Sequence, residues 1–216
     1  MELIIFDLDG TLIDSAPDLA ASVNHALERL GLPTYDEATI RRWVGNGAQM
    51  LVKRALCGCS EPRDVDEELF QKALALFLEH YEGHLCDRTT LYPGVRETLE
   101  ALRPKKRLAV ATNKPERFVQ PILRALGIDI FDMVVGGDTV GAKKPDPAML
   151  RYITEHFGTR DALMVGDSAN DILAAKAAAI PCAALANGYN QGVDLATLGP
   201  DYLLQEITEL LEVAGV

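Results

Sequence analysis

The chain opens MELIIFDLDGT over residues 1–11, and the change of character at Asp7 decides the fold. Residues 3–6, LIIF, form an unbroken apolar run, too short for a buried helix and without polar alternation. Such a run reads as a strand covered on both faces, as in a parallel sheet. Residues two apart in an extended chain point the same way, so Asp7 and Asp9 face one site beyond the strand's carboxyl end. Gly10 then supplies a sharp exit.

Similar runs recur at residues 108–112, 133–135, 162–165 and 182–185, separated by helical patterns at 95–102, 117–126, 147–157 and 171–179. This alternation implies right-handed crossovers and a parallel sheet covered on both sides. The expected architecture is therefore α/β, a Rossmann-like sheet with helices on both faces. Residues 15–91 interrupt it with four helical patterns and no convincing strand. The longest, 66–81, sets Leu69, Phe70, Ala73, Leu74, Phe77, Leu78 and Tyr81 on one stripe that must pack against other helices. The expected division is a catalytic core of residues 1–14 and 92–216 and an inserted all-helical cap of residues 15–91, with hinges at 14–17 and 83–92.

Composition narrows the function classes. At ~100–200 residues per domain, the 216 residues make room for one core and an insertion. Lys+Arg 21 against Asp+Glu 32 gives a net charge of −11. Nucleic-acid and anionic-membrane binders need a basic footprint, so neither partner is expected. No apolar run approaches the ~18 residues of a membrane span, and no basic leader precedes Asp7. The four cysteines, Cys57, Cys59, Cys86 and Cys182, do not make a disulfide scaffold in a chain this long. The expectation is a reduced, cytoplasmic protein, monomer or homodimer. Cys57 and Cys59 with His80 and His84 match zinc in ligand type, but the cysteines are one residue apart and the histidines read as helix-surface residues. His25 and His156 read the same way.

The strand ends carry a selective set. The first ends in Asp7-Leu8-Asp9-Gly10-Thr11 and the second in Thr112-Asn113-Lys114. Lys143-Lys144-Pro145 follows the third, and the fourth ends in Gly166-Asp167, with Asp171 opening a helix. Ligands of open α/β sheets gather at those ends. Carboxylates converging there repel one another unless a cation joins them, and a few hard oxygen ligands favour Mg²⁺, which keeps waters and takes a substrate phosphate. A neighbouring lysine and threonine neutralise and hydrogen-bond a phosphoryl group. One carboxylate can attack phosphorus while another protonates the leaving oxygen.

DLDGT, TNK, KKPDP and GDSAND, at residues 7–11, 112–114, 143–147 and 166–171, resemble the four motifs of the haloacid dehalogenase superfamily. The helical insertion resembles that superfamily's C1-type cap. WVGNGAQMLVKRAL at 43–56, VVGGDTVGAKKPDP at 134–147 and NGYN at 187–190 resemble its bacterial phosphoglycolate phosphatase branch. The resemblance implies a phosphomonoester hydrolase in which Asp7 is the nucleophile that becomes an aspartyl-phosphate and Asp9 the acid/base. Lys144, directly before the proline, is implied to hold the phosphoryl group and the nucleophile. Mg²⁺ is implied on Asp7, the Asp9 main-chain carbonyl and Asp167, with Asp171 as support or ligand. Thr112 and Asn113 are the implied phosphate contacts. The implied substrate is a small phosphorylated metabolite, 2-phosphoglycolate first, then another small phosphate ester such as a sugar phosphate; a β-phosphoglucomutase-like transfer is third. A phospho-receiver module also gathers aspartates and a lysine at strand ends, but it is shorter and carries its acceptor on a later strand.

Within the insertion, Gly45-Asn46-Gly47 precedes a helical pattern. Amides exposed at such a start suit an anion, here a substrate carboxylate, with Lys53 or Arg54 assisting.

Overall fold

Every residue of β1 (Leu3–Phe6) is buried, as its unbroken apolar run requires. In the computed structural model, which describes residues 1–216, it is followed by β2 (Ile13–Asp14) and the helices α1 (Ala16–Arg29), α2 (Glu37–Arg41), α3 (Ala48–Cys57) and α4 (Glu67–Gly83). Next come β3 (Thr90–Leu91), α5 (Val95–Leu102), β4 (Arg107–Ala111), α6 (Glu116–Ala125) and β5 (Met133–Val135). The chain ends with α7 (Ala148–Phe157), β6 (Ala162–Gly166), α8 (Ala169–Ala178), β7 (Cys182–Leu185), β8 (Tyr202–Leu204) and α9 (Leu210–Ala214).

The main sheet runs β5-β4-β1-β6-β7-β8 with every pairing parallel. This is the Rossmann-like architecture expected from the alternation. Successive side chains alternate between its faces. Ile4, Phe6, Val110 and Val165 join one apolar cluster, while Leu3, Ile5, Ala109 and Met164 join the other. The first cluster continues without a break into the insertion through Leu19, Val23, Leu51, Phe77 and Tyr81. The stripe on α4 therefore packs both on neighbouring helices and toward the sheet.

Three details depart from the sequence reading. β8 is an edge strand with two of its three residues exposed, so no continuous apolar run marks it. The hinges are not simple loops: β2 and β3 pair antiparallel, Ile13 with Leu91 and Asp14 with Thr90. Two-residue strands are too short to show any periodicity. The Asp18 carboxylate ties down the second hinge by accepting from the Arg88 and Thr89 amides and the Thr89 hydroxyl.

The expectation of wholly reduced cysteines is corrected. Cys57 and Cys59 form a disulfide, and Cys86 and Cys182 are free. Gly58, the left-handed cap of α3, folds the chain back so that the two Cα atoms lie 5.3 Å apart, within disulfide reach. His25, His80 and His84 stack ring on ring at 4.2 Å between successive centroids, rather than joining the cysteines around a metal. No helix is long and apolar enough to cross a membrane.

Candidate active site

Asp7 leaves the end of β1 at the centre of the sheet, next to the end of β6, and there it meets Asp167 and Asp171. One carboxylate oxygen from each of the three lies within 4.8 Å of the others, all buried. The surroundings of the three differ. Asp167 accepts from the Thr11 hydroxyl at 2.6 Å and from the Tyr189 amide. Asp171 closes a capping box at the start of α8, accepting from the Ser168 amide and hydroxyl on one oxygen and from Lys144 Nζ at 2.6 Å on the other. Its carboxylate is thus occupied in orienting Ser168 and Lys144. Lys144 Nζ also lies 2.9 Å from Asp7 Oδ1, but without hydrogen-bond geometry, so that buried oxygen has no donor.

Asp9 is turned away from this trio. Its carboxylate accepts from Ser15 Oγ at 2.6 Å, and both oxygens lie 2.9 Å from Lys114 Nζ.

The electrostatics follow from burial. Burial pushes the Asp7 carboxyl up to about 6, Lys144 pulls against it, and Asp171 adds to the rise. Asp167 is raised well above the ordinary carboxylate range by burial and then by Asp7 and Asp171. Burial works against the Lys144 ammonium, but Asp171 and Asp7 outweigh it and the pKa rises. Lys114 is raised likewise, Asp9 being the chief opposing charge. Four buried carboxylates against two buried lysines leave two negative charges in excess when all are ionised. A divalent cation would remove that excess, and one oxygen each of Asp7, Asp167 and Asp171 is close enough to the others to share it. The donor set fits Mg²⁺: hard oxygens, few in number.

Glycines make the cluster possible. A Cβ on Gly10 or on Gly188 would stand 2.2 Å from Asp167 Oδ2, and one on Gly166 would stand 2.3 Å from Asp171 Cγ. At Gly10 the φ of +94° is a second reason that no side chain is tolerated.

The remaining expected residues divide. Thr112 and Asn113 lie at the end of β4 and line a cavity with Asp7, Asp9, Lys114, Gly45 and Gly47. The Asn113 side chain is largely spent, however: Oδ1 accepts from the Lys144 amide at 2.9 Å, and Nδ2 donates to the Lys144 and Gly45 carbonyls. Gly45, Asn46 and Gly47 form the turn before α3, with φ of +120° at Gly45 and +83° at Gly47. Neither neighbouring base enters the site. Arg54 is buried and directed inward, donating to the carbonyls of Trp43 and Ser60 and to Asn46 Oδ1. Lys53 lies over the Phe70 ring. The sequence reading gave no role to Lys114, Ser15, Tyr189 or Gly188. Lys114 was within reach, since it completes the TNK segment, but a strand-end lysine carries no mark of its partner. The other three are brought in by folding alone.

The water-accessible interior of that cavity is ≈ 30 Å³. One water needs at least ~10–15 Å³ by this measure, so the space under the insertion is a slot for a small group. Leu19, Val44, Leu51, Phe77, Tyr81 and Phe118 supply its apolar wall.

The family profile of haloacid dehalogenase-like hydrolases matches residues 4–185. This chain is a member of that family. Among its relatives in the haloacid dehalogenase-like group is a phosphoglycolate phosphatase of Colwellia psychrerythraea, 48% identical over 97% of this chain and 95% of that one. A crystal structure described as a predicted phosphoglycolate phosphatase from Haemophilus somnus superposes with a TM-score of 0.92 at 41% identity, covering 99% and 98% of the two chains. CbbY from Rhodobacter sphaeroides in complex with xylulose-(1,5)bisphosphate superposes with a TM-score of 0.79 at 27% identity, covering 97% and 96%.

Proposed function

We propose that this haloacid dehalogenase-like hydrolase is a Mg²⁺-dependent phosphomonoesterase that works through an aspartyl-phosphate on Asp7, with 2-phosphoglycolate as substrate. The observation that carries the reading is the buried Asp7 oxygen that lies 2.9 Å from Lys144 Nζ without a hydrogen-bond donor, on the same cavity lining as Asp9. A carboxylate oxygen balanced by a neighbouring charge but given no hydrogen bond is available to a cation or to phosphorus.

In the proposed reaction an Asp7 oxygen forms a bond to phosphorus as the bond from phosphorus to the ester oxygen breaks, and Asp9 delivers a proton to that oxygen. Glycolate leaves. Asp9, now ionised, takes a proton from water, whose oxygen attacks the phosphorus, freeing phosphate and restoring Asp7. Lys144 and Thr112 balance charge on the phosphoryl oxygens. Asp7, the Asp9 main-chain carbonyl and Asp167 would hold Mg²⁺, which would supply further neutralisation of the phosphoryl group when bound. Asp171 acts through Lys144. The Ser15 and Lys114 contacts orient Asp9 toward the leaving oxygen.

The insertion, acting as a cap, covers the reacting atoms and excludes bulk water. A substrate carboxylate has two sources of positive potential in the slot: the Lys114 ammonium and the amides that open α3 at Gly47. A carboxylate there gives Lys114 a second partner beside Asp9. The names of the relatives support the same substrate.

A sugar phosphate is the second reading, favoured by the likeness to CbbY with its bound xylulose-(1,5)bisphosphate. The narrow slot speaks for the smaller ester. The deciding experiment compares kcat/KM for 2-phosphoglycolate, sugar phosphates and nucleotides with Mg²⁺. Preference for a sugar phosphate overturns the substrate assignment, and no phosphate release from any ester overturns the activity.

A further inference from the structure

Side-chain amides from three separate segments of the sheet domain hold one turn of the insertion. Asn113 Nδ2, after β4, donates to the Gly45 carbonyl at 3.1 Å. Asn170 Nδ2, at the start of α8, reaches the same carbonyl at 3.3 Å. Gln191 Nε2, in the loop after β7, donates to the Val44 carbonyl at 2.7 Å and to Asn46 Oδ1 at 3.0 Å. From inside the insertion, Arg54 Nη1 donates to the Trp43 carbonyl at 2.7 Å and to Asn46 Oδ1 at 2.9 Å. The carbonyls of Trp43, Val44 and Gly45 all have donors, and Asn46 Oδ1 takes one from each side of the cleft.

These contacts are not equivalent. Asn113 also clamps the main chain of Lys144. Gln191 is exposed, and its side chain makes no hydrogen bond except these two. It belongs to none of the strand-end motifs, yet it grips the segment whose Val44, Gly45 and Gly47 roof the slot over Asp7 and Asp9.

We propose that Gln191 is a positioning residue for the reaction: its amide fastens the turn at residues 43–47 against the sheet domain, keeping the slot small and dry while the phosphoryl group is transferred. Asn46 is its counterpart on the insertion, held ready by Arg54. The proposal rests on the reading of the Asp7 site as a phosphatase for small esters. An exposed amide exchanges freely with water, so the fastening is weak enough to release product, and a polar latch suits a part that must open each cycle.

The test uses Gln191→Met, which keeps the length and loses the donor, and Gln191→Glu, which sets a negative charge against the Val44 carbonyl. Gln191 is on the surface, so the melting temperatures of both variants should stay near that of the unaltered chain. Hydrogen exchange of the amides at 44–48, measured without substrate, should quicken about tenfold in both variants. The kcat/KM for 2-phosphoglycolate should fall about 3- to 10-fold, chiefly through KM, whereas 4-nitrophenyl phosphate, too large for the closed slot, should change less than about 2-fold. Asn46→Ala should reproduce the effect, and its combination with Gln191→Met should give less than the product of the two. Unchanged exchange at 44–48 overturns the proposal, and so does an equal loss on both esters. Should the unaltered chain hydrolyse no ester, the phosphatase reading fails while the exchange measurement still decides whether Gln191 holds the turn.

Discussion

Removing divalent cations while raising the pH from about 4 to 7 is expected to weaken the fold, and Asp7 sets the scale. Burial lifts its pKa from 3.8 to about 6 against the pull of Lys144. Between those values the folded chain keeps a proton that the unfolded chain has released, so the unfolding free energy falls as pH rises through the window. The gap corresponds to roughly 3 kcal/mol. For a chain of this size that is a loss of roughly 6–12 °C in Tm. Asp167, raised by burial and its carboxylate neighbours, acts in the same direction. His80 acts in the opposite one. Burial and the rings of His25 and His84 lower its pKa, so stability rises with pH as it approaches the ordinary histidine value. That contribution does not depend on the cation. The quantity to follow is therefore the difference between melts in Mg²⁺ and in chelator, read by circular dichroism at several pH values. The Mg²⁺-dependent gain should be small near pH 4 and should grow to about the full amount by pH 7. Asp7→Asn should raise stability in chelator at pH 7 and lose most of the gain. A gain of equal size at both ends of the pH range, or none at either, would refute the reasoning.

Three further outcomes are expected. Asp9→Asn should lower kcat by ~10²–10⁴-fold through loss of acid–base help while Mg²⁺ affinity, measured by calorimetry, changes little; the reverse pattern would move Asp9 from proton transfer to metal binding. Gly188→Ala places a Cβ 2.2 Å from both Cβ and Oδ2 of Asp167, so Mg²⁺ binding should weaken at least about tenfold, and an unchanged affinity would remove Asp167 from the metal site. Gly47→Val meets the Asn113 carbonyl at 2.8 Å and a φ of +83°, so it should hold the insertion away from the sheet. Small esters should then lose about 10–100-fold in kcat/KM, and a crystal structure of the variant with the turn still seated would count against the wedge.

Much of the site is visible in the primary structure because each part follows a strand. Asp7, Asp9, Thr112 and Asp167 occupy the carboxyl ends of strands whose apolar runs are unmistakable, and parallel strands bring those ends together. Lys144 and Asp171 follow from the same geometry. β8 was hidden because an edge strand needs no continuous apolar run, and the β2–β3 ribbon because two residues cannot show a period. Arg54 looked like a base for the substrate because its residue type states its charge; burial directs that charge to carbonyls of its own turn.

Local pattern and strand-end chemistry thus determined the α/β architecture, the helical insertion and the acidic cluster, because each depends on residues close in sequence and on the fixed polarity of a parallel sheet. Tertiary structure decided which lysine faces which carboxylate: Lys114 is 105 residues from Asp9 along the chain, and Lys144 is 27 from Asp171. It also decided the approach of Gly188 to Asp167, the closure of the Cys57–Cys59 disulfide and the grip of Gln191 on Val44. Apart from the disulfide, these pairings join distant segments, and their specificity comes from burial and close packing, which no local pattern encodes.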